Sequence, residues 1–249
     1  MAKTVADVMK LVKENEVKFV DFRFTDTRGK QHHTTVPVSH FDEDKFISGH
    51  AFDGSSIAGW KGIEASDMQL IPDPNSANID PFFEETTLIL TCDVIEPSDG
   101  KSYDRDPRSV AKRAEAYLKA SGLGDTAFFG PEPEFFIFDG VRWSTEPNNT
   151  FYEIEEYEAP WNTGAKLEGG NRGHRPTVKG GYFPVPPVDS TQDMRAEMSL
   201  ILESLGIPVE VFHHEVAGAG QNEIGTKFST LVERADWTQL QKYVVHNVA

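Results

Sequence analysis

Val209-Glu210-Val211-Phe212-His213-His214-Glu215-Val216-Ala217-Gly218-Ala219-Gly220-Gln221-Asn222-Glu223-Ile224-Gly225-Thr226-Lys227-Phe228 is two strand-like runs around a turn of small residues. Such a pattern predicts a β-hairpin. With Ala219 at the centre of the turn, Glu215 faces Glu223 and Glu210 faces Phe228. Like charges directly opposite each other destabilise a sheet, so this register asks for something positive between Glu215 and Glu223. A divalent cation held by oxygens meets that demand. A hairpin slipped by one residue instead leaves the glutamates as surface charge.

A second segment, Gly130-Pro131-Glu132-Pro133-Glu134-Phe135-Phe136-Ile137-Phe138, carries two more carboxylates. Residues two apart on a strand share a face, so Glu132 and Glu134 project together. Adjacent carboxylates raise each other's pKa unless a cation sits between them. The prolines remove backbone donors and mark the rim of a sheet. Glu132, Glu134, Glu215 and Glu223 can together form a hard oxygen site, which favours Mg²⁺ or Mn²⁺ over zinc. The competing reading is a solvated strand end with two unremarkable glutamates. The Phe135, Phe136, Phe138 stripe reads as core.

Composition narrows the classes. The 249 residues include 24 Lys+Arg and 40 Asp+Glu, a formal charge of −16, with 38% hydrophobic and 11% aromatic residues. This is a globular composition. So large an acidic surplus repels nucleic acid and anionic membrane surfaces, and no basic patch offsets it. No apolar run of about 18 residues is available for a membrane-spanning helix. The N-terminal stretch is charged throughout and lacks the apolar core of a secretory signal. The single cysteine, Cys92, has no partner for an internal disulfide and reads as a buried thiol in an apolar strand. That favours a reducing compartment, hence the cytoplasm.

Four helices are legible. Thr4 and Asp7 form a capping-box pattern ahead of Val8, Met9 and Val12. Asp106-Pro107 opens the second helix and Gly122 stops it. The third opens near Asp189-Ser190 and ends at Gly206 and Pro208. The fourth starts around Glu233 and carries Trp237, Leu240, Val244, Val245 and Val248 up to Ala249 without a stop signal, so the sequence reads as a fragment of a longer protein. Strands are expected at 17–24, 31–38, 87–94, 127–138, 151–154, 209–216 and 222–230. The stretches 53–62 and 162–181 read as long polar loops, the first with an exposed-looking Trp60. The result is a mixed α+β protein cut near Tyr103 into a small N-terminal domain, 1–103, and a larger one, 104–249.

Other motifs are weak. Gly218-Ala219-Gly220 starts like a dinucleotide fingerprint, but Glu223 holds the third glycine position and a strand follows where a helix is needed. Neither a phosphate-binding Gly-x-x-x-x-Gly-Lys-Ser/Thr loop nor a Gly-x-Ser-x-Gly elbow occurs. His213 and His214 are adjacent, so a strand points them to opposite faces and one of them reads as core or as support for a ligand.

Four segments taken together, FDGSSIAGW (52–60), GPEPEFF (130–136), KGGYFPVPPVDS (179–190) and HHEVAGAGQNEI (213–224), resemble glutamine synthetase of the bacterial type I class. The resemblance implies a small β-grasp domain followed by the start of a catalytic domain built on an antiparallel sheet flanked by helices. It implies ATP-dependent ligation of ammonia to the γ-carboxylate of L-glutamate through γ-glutamyl phosphate, in a homo-oligomer of two stacked six-membered rings with active sites between subunits. Glu134, Glu215 and Glu223 match ligands of a first metal and Glu132 a ligand of a second. Glu210 and Phe228 match positions near the nucleotide, Asp53 the residue that binds ammonium and helps deprotonate it, and Tyr182 a neighbour of that ammonium pocket. The family's second-half elements are absent from these 249 residues, so the chain alone is expected not to turn over. Two alternatives remain open: a γ-glutamyl ligase for a larger amine, and a non-catalytic relative of the same fold.

Overall fold

The computed structural model describes residues 2–166, 168, 170 and 173–249. Four positions of the expected 162–181 loop (167, 169, 171 and 172) lie outside the described residues. The chain divides into two compact units, one of residues 1–129 and 229–239, the other of residues 130–228 and 240–249.

In chain order the elements begin with α1 (Val5–Glu14), β1 (Phe19–Thr25), β2 (Gln31–Pro37), α2 (Lys45–Ser48), β3 (His50–Asp53) and β4 (Asp67–Pro72). They continue with β5 (Asn78–Ile79), β6 (Thr87–Ile95), α3 (Pro107–Ser121), β7 (Phe128–Phe129), β8 (Glu134–Phe136) and β9 (Gly140–Glu146). The remainder are β10 (Asn149–Glu155), α4 (Gln192–Ser204), β11 (Val209–His214), β12 (Gln221–Thr226), β13 (Ser229–Thr230) and α5 (Leu231–Val248).

The first unit is built on a mixed sheet in the order β2-β1-β6-β4-β3, with β5 added to β6. Only the β1–β6 pair is parallel; the others are antiparallel. β1 lies between β2 and β6, and successive side chains along it alternate between two buried faces. Val20, Phe22 and Phe24 enter the main core with Leu88, Leu90, Cys92, Met68 and Leu70, while α1 contributes Val8. Each such side chain stabilises the fold by roughly 1.5–3 kcal/mol on burial. The other face of β1 carries Asp21 and Arg23, both buried and ion-paired, with Arg23 also reaching Asp80 at 2.8 Å. The thiol of Cys92 is buried and its pKa is pushed well up by that burial.

Capping residues behave as their chemistry requires. Thr4 and Asp7 close a reciprocal capping box on α1. Asp106 accepts from the N–H groups of Arg108 and Ser109 at the start of α3, with Pro107 in the first turn and a left-handed Gly122 at its end.

The 52–60 stretch departs from expectation. It is a strand end followed by a tight turn, and Trp60 is buried against Phe24, Phe52 and Tyr103 rather than exposed. An indole surrounded by polar and glycine neighbours in sequence is drawn inward because Phe52 of the same stretch and the distant Phe24 and Tyr103 offer it apolar surface.

The second unit holds a three-stranded antiparallel sheet, β11-β12-β8, and the separate hairpin β9-β10. The strand expected over 127–138 is two strands. Pro131 and Pro133 cannot donate to a ladder, so pairing breaks between β7, which joins β13, and β8, which joins β12. The Phe136 and Phe138 rings are exposed, not core. Met198 and Leu202 of α4 are buried, as are Leu205, Ile207 and Ile224.

Candidate metal centre

Register decides which side chains share a face. Across β11 and β12, His213 pairs with Glu223, His214 with Asn222 and Phe212 with Ile224. The turn is therefore centred one residue earlier than Ala219, and Glu215 does not face Glu223. Glu215 lies just past the end of β11, its N–H donating to the Gln221 carbonyl at 2.9 Å. The slip amounts to two residues on one strand, which preserves the alternation. Glu215 and Glu223 consequently stay on one face together with His213.

The third strand adds to that face, because β8 pairs Glu134 with Glu223 and Phe136 with Gln221. The opposite face is core: His214, Asn222 and Ile224 are all buried. One ladder thus separates an acidic surface from an apolar and hydrogen-bonded interior.

His213, Glu215 and Glu223 can each offer one ligand atom, and these atoms lie within 4.8 Å of one another. The His213 ring stands between the two carboxylates, with Nδ1 3.8 Å from Glu215 and Nε2 3.5 Å from Glu223. Its Nδ1 also lies 3.2 Å from the His214 carbonyl, which can only accept. A hydrogen on Nδ1 would serve that contact and leave the Nε2 lone pair facing the carboxylates and any cation between them.

The Glu223 carboxyl is raised above its ordinary pKa, first by burial and then by the charges of Glu215, Glu132 and Glu134, with His213 opposing. That is the electrostatic signature of carboxylates gathered without enough positive charge. The donor set fits a divalent cation: carboxylate oxygens suit Mg²⁺ or Mn²⁺, and one imidazole is compatible with Mn²⁺.

Glu134 donates no ligand atom to the three-residue cluster; its carboxylate accepts from Gln221 Nε2 at 2.6 Å. Glu132 lies two residues before Glu134, outside β8 and exposed, yet its charge acts on Glu223. Tyr182 and Phe183 stack at 3.9 Å between ring centroids, and both set their rings edge-on to His213, at 5.7 and 4.7 Å. Phe183 holds a left-handed φ of 59°, a strain that persists only where the surroundings enforce it.

The expected Glu210–Phe228 pairing is not formed. Glu210 is the unpaired residue of a bulge in β11, and Phe228 lies beyond the end of β12 and is 53% exposed. The slip at the turn already takes position 210 out of register with 228, and the bulge then leaves Glu210 unpaired and moves Val209 opposite Thr226. Asp53 belongs to the first unit, at the end of β3. It is exposed and its carboxylate accepts from the Ser55 N–H at 2.8 Å and hydroxyl at 2.6 Å, bonds that hold its pKa below the usual range.

Sequence reasoning missed His213 as part of the cluster. The signal was present: the alternation that joins Glu132 with Glu134 also joins His213 with Glu215. It also missed a buried network behind the face. The Glu158 carboxylate accepts from the Ser190 N–H and hydroxyl, each at 2.6 Å, from His214 Nε2 at 2.8 Å and from the Gly220 N–H at 3.2 Å. Burial alone would raise its pKa, but these four donors lower it to about 2. His214 Nδ1 faces the Gly181 and Glu215 carbonyls at 2.7 and 3.0 Å, so both its nitrogens carry hydrogen. Burial opposes that charged form, and the bond to Glu158 outweighs it and raises the His214 pKa.

A mixed β-sheet unit followed by an antiparallel sheet, one face of which carries a carboxylate–imidazole cluster, defines the class: an α+β protein. Residues 16–97 match the family model described as glutamine synthetase, beta-Grasp domain, and residues 104–249 that described as glutamine synthetase, catalytic domain. The chain belongs to the glutamine synthetase family.

Among curated relatives, a 3-hydroxylaminophenol mutase of Cupriavidus pinatubonensis is 76% identical over 249 residues, 100% of this chain and 53% of that protein. The glutamine synthetase of Azotobacter vinelandii is 61% identical over 241 residues, 97% of this chain and 52% of that protein. A cryo-EM structure of Plasmodium falciparum glutamine synthetase superposes with a TM-score of 0.88 at 25% identity, covering 100% of this chain and 50% of that one. The chain spans about half the length of the curated relatives it matches. Among the described residues, no helix is long and apolar enough to cross a membrane.

Proposed function

We propose that the chain contributes the acidic half of the active site of an ATP-dependent glutamate–ammonia ligase. The observation that carries this reading is the shared sheet face of His213, Glu215, Glu223 and Glu134. Glu215 and Glu223, with His213, would hold one divalent ion; Glu134 would join them by turning its carboxylate away from Gln221, and Glu132 would reach a second. Such ions, Mg²⁺ or Mn²⁺, neutralise phosphoryl charge during transfer. A cut near Tyr103 separates the β-grasp part from the catalytic part in this reading. Glu210 and Phe228 lie toward the nucleotide, and the assembled protein is a cytoplasmic dodecamer with sites between subunits.

The chemistry runs in two balanced steps. A γ-carboxylate oxygen of glutamate attacks the terminal phosphorus of ATP and ADP leaves. Ammonia then attacks the acyl carbon of γ-glutamyl phosphate and phosphate leaves. Asp53 is ionised well below neutral pH because the Ser55 donors stabilise its charge. It is therefore better suited to attract ammonium than to retain the proton it helps remove. Tyr182 and Phe183 set two aromatic rings edge-on to His213.

A second reading has its own support, since the relative at 76% identity is a 3-hydroxylaminophenol mutase. Assaying the complete gene product with glutamate, ATP and ammonium, hydroxylamine or a polyamine, and separately with 3-hydroxylaminophenol, divides the readings. ADP and phosphate release that depends on ammonium and glutamate supports the ligase. Release with the polyamine alone supports a larger-amine ligase, and conversion of 3-hydroxylaminophenol without ATP consumption supports the mutase.

A further inference from the structure

We propose that Glu158 is a positioning residue for the acidic face, acting through His214, Ser190 and Gly220 without touching the cation itself. The inference rests on the metal reading given above. Glu158 and His214 have fully buried side chains, and neither lies on the acidic side of the sheet. The four donors that converge on Glu158 come from three separate places: the entry to α4 at Ser190, the end of β11 at His214 and the hairpin turn at Gly220. His214 passes the constraint on, because its other nitrogen faces the carbonyls of Gly181 and Glu215, the residues beside Tyr182 and at the rim of the cluster.

The surroundings leave no slack. Gly181 packs so closely on the Glu215 carbonyl that a Cβ there would collide with it, and a Cβ on Gly220 would strike the Ile137 carbonyl. Gly220 also holds a left-handed φ of 68°, which a side chain would strain. The Phe183 N–H reaches the His214 carbonyl at 3.4 Å and the Lys179 N–H the Ala217 carbonyl at 3.0 Å, so the Tyr182 loop lies along the same turn.

Only a carboxylate serves at position 158. Both oxygens face N–H donors that have no lone pair to offer in return, Ser190 N–H on one side and Gly220 N–H on the other. An amide places its NH₂ against one of them in either orientation, leaving two donors facing each other in a buried site.

The test measures Mn²⁺ affinity of the complete chain by electron paramagnetic resonance of free Mn²⁺, alongside thermal unfolding. Glu158→Gln is expected to weaken Mn²⁺ binding by about 10- to 100-fold, the range for residues that orient metal ligands. Asp80→Asn, which breaks a buried ion pair in the other unit, is expected to lower stability while leaving Mn²⁺ affinity unchanged. Equal Mn²⁺ affinity in wild type and Glu158→Gln overturns the proposal and leaves the metal reading standing. Absence of saturable Mn²⁺ binding in the wild type overturns the metal reading itself. If Glu158→Gln does not fold, Ser190→Ala removes a single hydroxyl donor. It supports the proposal if affinity falls at least about twofold and overturns it if affinity is unchanged.

Discussion

Glu134 stands directly opposite Glu223 across β8 and β12. Two carboxylates facing each other on a sheet cost about 0.2–1 kcal/mol without a cation between them; the Glu223 pKa is raised by burial first, with the charges of Glu215, Glu132 and Glu134 adding to it. Glu223→Gln is therefore expected to raise the stability of the metal-free chain by about that amount, measured by urea unfolding in the presence of a chelator. Destabilisation instead would show that the pair is already satisfied without an ion.

Glu156 gives the pH dependence. Its carboxyl is raised from 4.5 to about 7, by burial first and then by the charges of Glu158 and Asp139, and its Oε2 is buried with no hydrogen-bond partner among the described residues. Between those pH values the folded chain holds a proton that the unfolded chain has released, so this group's contribution to stability falls as pH rises through that window. Glu156→Gln is expected to stabilise the chain at pH 8 by on the order of 1–3 kcal/mol and to change little at pH 4. Thermal unfolding at the two pH values checks it; equal effects at both would contradict it.

Trp60 anchors the 52–60 turn in the first unit, packed on Phe24, Phe52 and Tyr103. Trp60→Ala is expected to cost roughly 3–5 kcal/mol, as large aromatic truncations in cores do. Trp60→Phe should retain most of that stability in the same urea titration. A cost under about 1 kcal/mol for the alanine variant would return Trp60 to the surface.

Asp53 is exposed and bonded locally, to Ser55 and Ser56. Asp53→Asn is expected to leave unfolding of the chain nearly unchanged. In the complete gene product it should lower ammonium-dependent ADP release by about 10²–10⁴-fold, the range for removing a group that assists proton transfer. Unchanged activity would remove Asp53 from the ammonium step.

Local chemistry made several elements legible from sequence. The Thr4–Asp7 box, the Asp106-Pro107 start and the Gly122 stop depend on residues within a turn of each other, and each cap is where the sequence places it. The acidic face was legible as well, because strand alternation survives a slip that preserves parity. What failed depended on distant partners. The hairpin turn is centred on Gly218 rather than Ala219, β11 carries a bulge at Glu210, and β12 pairs on its other side with β8, none of which is visible in the turn residues. Trp60 turned inward because Phe24 and Tyr103, remote in sequence, join Phe52 around it. Phe136 and Phe138 lie exposed although their composition reads as core. Glu158 carries no local signature, since its four donors come from segments 32 to 62 residues away.

The most direct test of the account is cation binding to the chain itself, by calorimetric titration with Mn²⁺ and by unfolding at increasing Mn²⁺. The account predicts saturable binding that raises stability by about 2.7 kcal/mol at a hundredfold excess over Kd, and loss of that binding in Glu215→Gln/Glu223→Gln. Mn²⁺ binding of undiminished affinity in the double variant would contradict it.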